Sequence, residues 1–368
     1  MSKQKKIIFT VTNDLSYDQR MIRICTSLAD TYDVILVGRQ RKTSIPMPLR
    51  GFQDKRIRCI FDKGKLFYVE YNIRLFFYLL FRRFDAVCAI DLDTILPAYY
   101  ISKLKRKPCV YDAHEYFTEL PEVISRPKVK RIWGSVANRT IPNLKYCYTV
   151  CASLSEVFEK EYGTPFEVIR NVPFKKKKKK LKKVEIPILL YQGVLNEGRG
   201  LAEMITAMVE IKNAKLWLVG EGDLSDELRE LSKELAVEDR VRFLGFVQPD
   251  ELHEITPQAS IGLNLLENQG LNYYYSLANK AFDYIQSGIP AIQMNFPEYQ
   301  KINEQFEVAI LIDNLKTETI VAAVNKLLEE EKFYIRLVDN CKKAAKTFVW
   351  EEESQKLLKF YKDLFASA

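Results

Sequence analysis

The alternation of short apolar runs with amphipathic runs constrains this fold more than any other feature of the sequence. Strand-like runs lie at residues 5–11, 33–38, 56–61, 84–90, 107–113 and 146–152, and helical patterns such as residues 18–32 separate several of them. Continuous apolar strands that alternate with helices are typical of a parallel sheet covered on both faces. We therefore predict an α/β fold whose first half is Rossmann-like.

The same pattern restarts in the second half of the chain. Strand-like runs lie at residues 186–193, 214–220, 240–246, 259–266, 289–294 and 307–313, again with helical runs between them. The length of 368 residues also favours two domains over one. We predict two doubly wound domains that face each other across a cleft, with ligands bound beyond the carboxyl ends of the strands. The predicted boundaries are 1–170 for the first domain, 171–185 for a Lys-rich linker, 186–348 for the second domain, and 349–368 for a C-terminal helix that packs back on the first domain.

The positive charge of the chain is concentrated in one tract. The formal net charge is +8, and residues 174–183, FKKKKKKLKK, hold eight lysines and no acid, so the remainder (+8 minus 8) is neutral. A nucleic-acid binder spreads its basic residues over a face, so we expect no nucleic-acid partner. Two interpretations of Lys175–Lys183 stay open: a solvated linker, which is typical of a run of like charges, and a segment that binds an anionic membrane surface.

The seven cysteines lie mostly inside apolar runs. Their spacing does not match the paired cysteines of zinc sites, and we identify no secretory leader. Both features favour reduced thiols in the cytoplasm. Cys147 and Cys151 form a C-x3-C pair in a strand-like run, which places both on one buried face. We predict no zinc site and no disulfide.

One aromatic-rich run has two interpretations. Residues 66–85, LFYVEYNIRLFFYLLFRRFD, are interrupted by Glu70 and Arg74, so they do not form an unbroken membrane-spanning segment. The aromatic side chains and the flanking Arg82 and Arg83 fit a helix that lies in a membrane interface. An ordinary core helix explains the apolar face as well.

Glycines and one arginine follow the first strand of the second half. Gly193, Gly198 and Gly200 surround Arg199 just before a predicted helix. Small residues let the backbone approach a phosphate, and a guanidinium holds a phosphate with two donors. A glycine loop with a surface arginine is common, so this pattern alone does not identify a site.

A lysine and an aspartate open a later helix. In the run NYYYSLANKAFDYIQSGIPAI, residues 272–292, a helix predicted from Ser276 places Lys280 and Asp283 on one face. A helix N-terminus attracts anions, so Lys280 suits a phosphate and Asp283 suits a ribose hydroxyl. The alternative is a local ion pair in a solvated turn.

Polar residues also follow the strands of the first half. Asn13, Asp18 and Arg20 follow the first strand, Asp91 and Asp93 follow the fourth, and Asp112, His114 and Glu115 end the next. A histidine at such an edge can position a substrate hydroxyl or transfer a proton near neutral pH. The alternative for His114 is a residue that caps or buttresses its loop. The aspartates can cap the helices that follow, and we favour that interpretation for Asp93.

Taken together, these motifs resemble those of one family. The chain is similar to the retaining GT-B glycosyltransferases, family 4 of the glycosyltransferases (glycosyl transferases group 1), through NDLSYDQRMIR, VYDAHE, IRNVP, YQGVLNEGRGL, LVGEG, VRFLGFV and SLANKAFDYIQSGIPAI. The last of these is the most specific. The resemblance covers nearly the whole chain and implies that the second domain binds the sugar donor and the first domain binds the acceptor.

The resemblance also implies roles for particular residues. Arg199 matches the cation that holds the donor diphosphate, Lys280 is a second diphosphate contact, and Asp283 matches the acid that binds the donor ribose, with aspartate in place of the commoner glutamate. The expected donor set is Gly193, Arg199, Gly222, Phe246, Gly270, Leu271, Asn272, Tyr273, Asn279, Lys280 and Asp283; the expected acceptor set is Asn13, Asp18, Arg20, Asp91 and Glu115; and His114, Arg199 and Lys280 are assigned to catalysis. Val194 and Tyr275 stand where the family usually has an arginine and a glutamate, which leaves sugar recognition to backbone amides near residues 270–273.

The implied reaction is transfer of a sugar from a nucleotide diphosphate sugar to an acceptor hydroxyl with retention, as in a hexosyltransferase. It needs no metal and no cofactor, because cationic side chains and a helix N-terminus can stabilise the leaving diphosphate. The expected acceptor is a glycan or a lipid-linked sugar in bacterial capsule or lipopolysaccharide assembly, at the cytoplasmic face of the cell membrane with peripheral attachment. Two alternatives are a nucleotide-sugar epimerase of the same fold and a non-catalytic, membrane-associated partner of another transferase.

Overall fold

The chain divides into two compact units. The computed structural model describes residues 4–16, 18–175, 185–248 and 251–367. The first unit comprises Met1–Asn171 with Glu352–Ala368, and the second comprises Val172–Glu351. Most of the predicted lysine tract, residues 176–183, lies outside the described residues.

The first unit is built on a seven-stranded parallel sheet of order β3-β2-β1-β4-β5-β6-β7. Its strands are β1 (Lys6–Asp14), β2 (Asp33–Gln40), β3 (Gln53–Arg58), β4 (Ala86–Ile90), β5 (Cys109–Ala113), β6 (Tyr146–Thr149) and β7 (Glu167–Val168). Its helices are α1 (Gln19–Ala29), α2 (Gly64–Leu80), α3 (Ile95–Lys105), α4 (Pro121–Ile124), α5 (Pro127–Thr140) and α6 (Ala152–Tyr162). Every residue of β4 and β5 is buried, as expected for central strands covered on both faces.

Local sequence explains where α1 begins and which face it buries. Asp18 is its N-cap and accepts a hydrogen bond from the Met21 N–H at 3.1 Å. Met21, Ile24, Cys25 and Leu28 recur at helical spacing and are all buried.

The last helix, α15 (Trp350–Ala366), crosses the division between the units. Beyond Glu351 it packs on the first unit, where the Tyr361 ring lies 5.8 Å from that of Phe9 and the Phe360 ring lies 5.1 Å from that of Tyr148. The C-terminal segment therefore belongs to the first hydrophobic core.

The second unit contains a six-stranded parallel sheet of order β10-β9-β8-β11-β12-β13. Its strands are β8 (Ile188–Gln192), β9 (Lys215–Val219), β10 (Val241–Gly245), β11 (Ile261–Asn264), β12 (Ala291–Met294) and β13 (Ala309–Ile312). Its helices are α7 (Leu201–Ala207), α8 (Ser225–Glu234), α9 (Leu252–Ile255), α10 (Leu271–Tyr274), α11 (Asn279–Ser287), α12 (Pro297–Phe306), α13 (Thr317–Glu329) and α14 (Glu331–Thr347).

The strand order fixes where each unit can bind a ligand. In the first sheet β1 to β3 extend to one side and β4 to β7 to the other, so the order of connection reverses between β1 and β4. In the second sheet it reverses between β8 and β11. Ligands of doubly wound sheets bind beyond the carboxyl ends of the strands at such a reversal. The loops after β1 and β4, and those after β8 and β11, are therefore the places to examine.

Helix α11 is fixed tightly to the second sheet. A Cβ placed on Gly262 of β11 would lie 2.3 Å from the Tyr284 ring, so a larger residue does not fit there. The Tyr284 hydroxyl donates to the Leu190 carbonyl at 2.9 Å. This anchoring sets the position of every side chain in the first turns of α11.

Three local predictions are wrong. The helix predicted from Ser276 begins at Asn279, because Ala278 is extended and its N–H donates to the Tyr299 hydroxyl at 3.0 Å. The strand predicted at residues 56–61 is Gln53–Arg58. Cys151 is buried, but it is the N-cap of α6 and not part of a strand with Cys147.

Candidate active site

The loops after β8 and β9 are joined backbone to backbone. The Gly193 N–H donates to the Val219 carbonyl at 2.9 Å, and the Leu195 N–H donates to the Glu221 carbonyl at 3.2 Å. Gly220 has a φ of +137°, and a Cβ there would lie 1.9 Å from the Gly193 carbonyl oxygen. Only glycine fits this contact, and it holds the loop that carries Gly193 in a fixed position.

Lys280 is a buried cation beside that loop. Its side chain follows Asn279 at the start of α11 and is only 9% exposed. Its Nζ lies 4.0 Å from the centroid of the Tyr191 ring. A Cβ on Gly193 would lie 3.5 Å from the same Nζ, so the Gly193 backbone directly borders the ammonium group. Burial, and secondarily the charge of Arg199, lowers the pKa of Lys280 well below its ordinary value.

Arg199 supplies a second cation to the same place. It stands between Gly198 and Gly200, both of which have positive φ, and its guanidinium carbon lies 5.0 Å from the centroid of the Tyr273 ring. Its Nε is buried and has no hydrogen-bond partner. Arg199 is close enough to Lys280 for its charge to lower the pKa of that lysine.

This pair of cations has no carboxylate partner within the part of the chain that the structure describes. The first turn of α11 contains no acidic residue, and Ala278 provides no side-chain cap. The partial positive charge of the helix N-terminus therefore adds to the charges of Lys280 and Arg199. The like charges of this arrangement repel one another, and it is suited to a multivalent anion such as a diphosphate.

Asp283 is oriented by two residues that we did not predict from the sequence. The buried Gln192, the last residue of β8, donates from Nε2 to Asp283 Oδ2 at 3.0 Å. The Gln192 Oε1 accepts from the buried Thr256 hydroxyl at 2.8 Å. The amide of Gln192 therefore has one fixed orientation and holds the Asp283 carboxylate. The only available signal was a polar residue at the end of an apolar strand.

The other predicted donor residues occupy the same set of loops. Phe246 follows β10 with a largely exposed side chain, and Gly222 lies in the loop after β9, where a Cβ would be 2.4 Å from the Leu195 carbonyl oxygen. Gly270, Leu271, Asn272 and Tyr273 form the N-cap and first residues of α10, and Asn279 is the first residue of α11. Their contact with a donor stays a prediction.

In the first unit, Arg20 and His114 share one buried network with Asp112. The Arg20 Nη2 lies 2.9 Å from Asp112 Oδ1, and the Arg20 Nε lies 2.8 Å from His114 Nε2. Burial raises the pKa of Asp112, but the charges of Arg20 and His114 and their hydrogen bonds to the carboxylate together outweigh this effect, and the pKa is lowered. The three side chains brace the carboxyl end of β5.

The ring of His114 is held from both sides. Its Nε2 also lies 3.0 Å from Asp112 Oδ2. When Nε2 carries a proton it donates to Asp112, and when Nε2 carries none it accepts from Arg20. Its Nδ1 lies 3.9 Å from Asp91 Oδ2. Burial lowers the pKa of His114, but the charges of Asp112 and Asp91 and the hydrogen bond to Asp112 together outweigh burial, and the pKa is raised. These contacts agree with a buttressing residue, and a catalytic role stays a prediction.

Two carboxyl groups follow β4. Asp91 has a φ of +54°, which is unusual for a residue other than glycine, and its Oδ1 accepts the His114 backbone N–H at 2.9 Å. Burial raises the pKa of Asp91 to about 6. Burial, with the charge of Asp91, raises the pKa of Asp93 to about 7. The capping interpretation of Asp93 is wrong, because its carboxylate accepts the Thr12 hydroxyl and the N-cap of α3 is Thr94.

The remaining predicted acceptor residues lie at the same edge of this sheet. Asp18 caps α1 and also accepts from the Asn13 side-chain amide at 3.2 Å. Asn13 and Glu115 are exposed. Their contact with an acceptor stays a prediction.

The comparison with protein families concerns the second unit. Residues 173–347 match the family described as glycosyl transferases group 1. The match covers nearly the whole second unit, which is therefore similar to this family.

Individual relatives agree with that assignment. An uncharacterised glycosyltransferase of Methanocaldococcus jannaschii is 26% identical over 179 residues, which are 48% of this chain and 44% of that protein. The lipopolysaccharide core biosynthesis glycosyltransferase LpsE of Rhizobium meliloti is 22% identical over 183 residues, which are 50% of this chain and 51% of that protein. The matched part of the chain thus spans about half the length of these curated relatives.

Solved structures extend the likeness of fold to the whole chain. The crystal structure of HepE from Anabaena in complex with UDP and glucose has a TM-score of 0.77 at 15% identity, covering 97% of this chain and 99% of that one. The prediction of a GT-B fold with two Rossmann-like domains is confirmed.

Outside this site, the described helices give no sign of a membrane span. None of them is both long enough and apolar enough to cross a bilayer.

Proposed function

We propose that this protein transfers a sugar from a nucleotide diphosphate sugar to an acceptor hydroxyl, with retention at the anomeric carbon. The observation that carries the proposal is the pair of cations Arg199 and Lys280: Lys280 lies in the first turn of α11, Arg199 is close enough to interact with it electrostatically, and neither has a carboxylate partner among the described residues. Departure of a nucleoside diphosphate develops negative charge at the leaving oxygens. Fixed cations and a helix N-terminus stabilise that charge without reorganising during the reaction.

The rest of the second unit supports nucleotide binding. Asp283, held by Gln192, presents a carboxylate that can accept a ribose hydroxyl. The exposed Phe246 ring offers an apolar surface beside the same strand ends. The neighbour HepE was solved with UDP and glucose, which supports a nucleotide sugar as the donor class.

Retention agrees with the distribution of charge at this site. Asp283 is the one acid in the predicted donor set, and Gln192 holds it. A mechanism in which the leaving phosphate assists the incoming hydroxyl requires no enzyme nucleophile. In that mechanism Arg199 and Lys280 stabilise the negative charge of the leaving diphosphate. The proposed reaction uses no metal and no cofactor.

The first unit is proposed to bind the acceptor. Asn13, Asp91 and Glu115 lie at the carboxyl edge of its sheet, where they can accept or donate hydrogen bonds to sugar hydroxyls. The likeness to a lipopolysaccharide core glycosyltransferase favours a glycan or lipid-linked acceptor in bacterial surface polysaccharide assembly. The expected location is the cytoplasmic face of the cell membrane.

The test is a panel of UDP, GDP, ADP and their sugars, measured first by thermal shift and then by mass spectrometry with and without candidate acceptors. We expect one nucleotide to stabilise the wild type, the variants Arg199→Gln and Lys280→Met to lose that shift, and Lys233→Met to retain it. Lys233 is a matched control because it is exposed on the same unit and paired with Glu230. NMR of the product then reports the anomeric configuration.

Other outcomes would identify the alternatives. Release of free sugar and nucleotide without an acceptor would indicate an epimerase. Nucleotide binding without turnover on any acceptor would indicate a non-catalytic partner of another transferase. If no nucleotide shifted the melting temperature, the proposed donor site would be wrong.

A further inference from the structure

Helix α2 is apolar on two faces, and only one of them is buried. Phe67, Tyr71, Leu75 and Leu79 pack into the first unit. A second row, which we call the α2 stripe, consists of Leu66, Val69, Ile73, Phe77 and Phe81, and its members are between 52% and 80% exposed. These residues are spaced three or four positions apart, so they share one side of the helix. An exposed apolar row of this length indicates a binding face.

The segments next to α2 also expose apolar side chains. Helix α3 packs against α2 and exposes Tyr100 and Leu104. Ile60 and Phe61, just before α2, are also exposed. Exposed apolar side chains therefore also lie on the two segments that adjoin α2.

One end of this area is strongly basic. A basic cluster, consisting of Arg82, Arg83, Lys103, Lys105 and Arg106, lies where α2 and α3 both end. The Lys105 ammonium donates to the Arg82 carbonyl, which brings the two helix ends together. Within the described residues, none of the five forms an ion pair with a carboxylate.

The acid on α2 does not offset this charge. Glu70 accepts the backbone N–H groups of Ile60 and Phe61 at 2.8–2.9 Å and pairs with Arg74. These backbone hydrogen bonds and Arg74 lower the pKa of Glu70. The negative charge of Glu70 is thus compensated by Arg74 and by backbone N–H groups. The α2 stripe therefore keeps a positively charged end.

We propose that the α2 stripe inserts into the interface of an anionic lipid bilayer while the basic cluster contacts lipid headgroups. An apolar helix face with Lys and Arg at its margin is the pattern of a helix that lies in the membrane plane. A second copy of the chain would present the same positive face, so like charges oppose self-association there. The inference adds a binding surface to the proposed transferase and does not depend on nucleotide binding, which is measured separately.

The test is co-sedimentation with phosphatidylcholine vesicles that contain or lack phosphatidylglycerol. We expect binding to the anionic vesicles, a loss of at least tenfold in Ile73→Ser/Phe77→Ser, and a loss of about thirtyfold in Arg82→Gln/Arg83→Gln, since two basic residues are removed from an anionic surface. Ile335→Ser, an exposed apolar position on the second unit, is the matched control and should bind as the wild type does. All variants should keep the wild-type melting temperature and nucleotide response.

A fluorescent reporter tests insertion directly. Phe77→Trp should shift its emission to the blue with anionic vesicles and should be quenched by brominated lipid tails. The proposal is overturned if the Ile73→Ser/Phe77→Ser variant binds like the wild type, or if only replacement of Lys175–Lys183 by glutamine abolishes binding. It is also overturned if light scattering shows a dimer that this double variant converts to a monomer without vesicle binding in either form.

Discussion

Replacing Lys280 by methionine should stabilise the unliganded protein and weaken its binding to nucleotides. Lys280 is buried, contacts the Tyr191 ring, lies near Arg199, and has no anionic partner among the described residues. Methionine has a similar length and shape but carries no charge, so Lys280→Met removes the unfavourable charge and retains the packing. One substitution is therefore expected to change stability and affinity in opposite directions.

The expected magnitudes follow from the environment of the ammonium group. An unpaired buried charge is among the costlier features of a fold, so we expect a gain of at least about 1 kcal/mol, which raises the melting temperature of a unit of this size by about 2–4 °C. Loss of one charge-assisted hydrogen bond to phosphate costs about 1.5–3 kcal/mol, which corresponds to roughly 10- to 150-fold weaker binding.

The pH dependence has a definite sign. Because the folded-state pKa of Lys280 lies below 10.5, the unfolded chain binds more protons between those two values. The cost of burying the charge is complete below the folded pKa and disappears as the pH rises toward 10.5. The stability advantage of Lys280→Met should therefore shrink with increasing pH.

The assay is scanning calorimetry of the wild type and Lys280→Met across pH, with titration calorimetry against nucleoside diphosphates. Lys233→Met serves as the control and should change neither quantity by more than about 0.5 kcal/mol. A variant that melts at a lower temperature without ligand and binds nucleotides as tightly as the wild type would refute the reasoning.

Three further predictions concern the supporting residues. Gln192→Leu should release Asp283 and weaken binding of a ribonucleotide about tenfold while changing binding of its deoxyribose analogue little, which paired titrations measure. Gly220→Ala should lower the melting temperature by several degrees, because its Cβ would overlap the Gly193 carbonyl and its φ is positive. His114→Ala should lower turnover at least tenfold, about 1.4 kcal/mol, and leave the nucleotide dissociation constant unchanged. Lowered thermal stability with full activity per folded molecule would instead establish the buttressing role.

The fold was largely predictable because its signal is local. Strands such as β4 and β5 are uninterrupted apolar runs, and their burial on both faces dictates that composition. The start of α11 was not predictable, since the extended Ala278 depends on the hydroxyl of Tyr299, which is 21 positions away. A tertiary hydrogen bond here overrides the local preference for helix.

The candidate site was predictable only in part, for the same reason. Arg199 and Lys280 carry local signals, a glycine loop and a helix N-terminus, and the structure brings them together. The partner of Asp283 carries only a weak one, a polar residue at the end of an apolar strand, and the pairing itself is hidden because Gln192 is 91 positions away. The contact between Arg20 and His114 spans 94 positions, and a sequence pattern cannot show which of many polar residues will meet.

The two units should respond to pH in opposite ways. In the first unit the pKa values of Asp91, Asp93 and His114 are all raised, to about 6 and about 7 for the two aspartates. For each group the folded protein binds more protons than the unfolded chain between the unfolded and the folded pKa, so the free energy of unfolding falls as the pH rises through that range. The lowered pKa of Asp112 acts in the opposite sense, but only in acid, below its ordinary value of 3.8. Between about pH 4 and 8 the first unit should therefore lose stability with rising pH. In the second unit, stability should rise with pH above the folded-state pKa of Lys280. Calorimetry over this range should show that the melting temperature of the first unit falls with rising pH in the wild type and falls less steeply in Asp93→Asn. Equal slopes would show that the pKa of Asp93 is not perturbed.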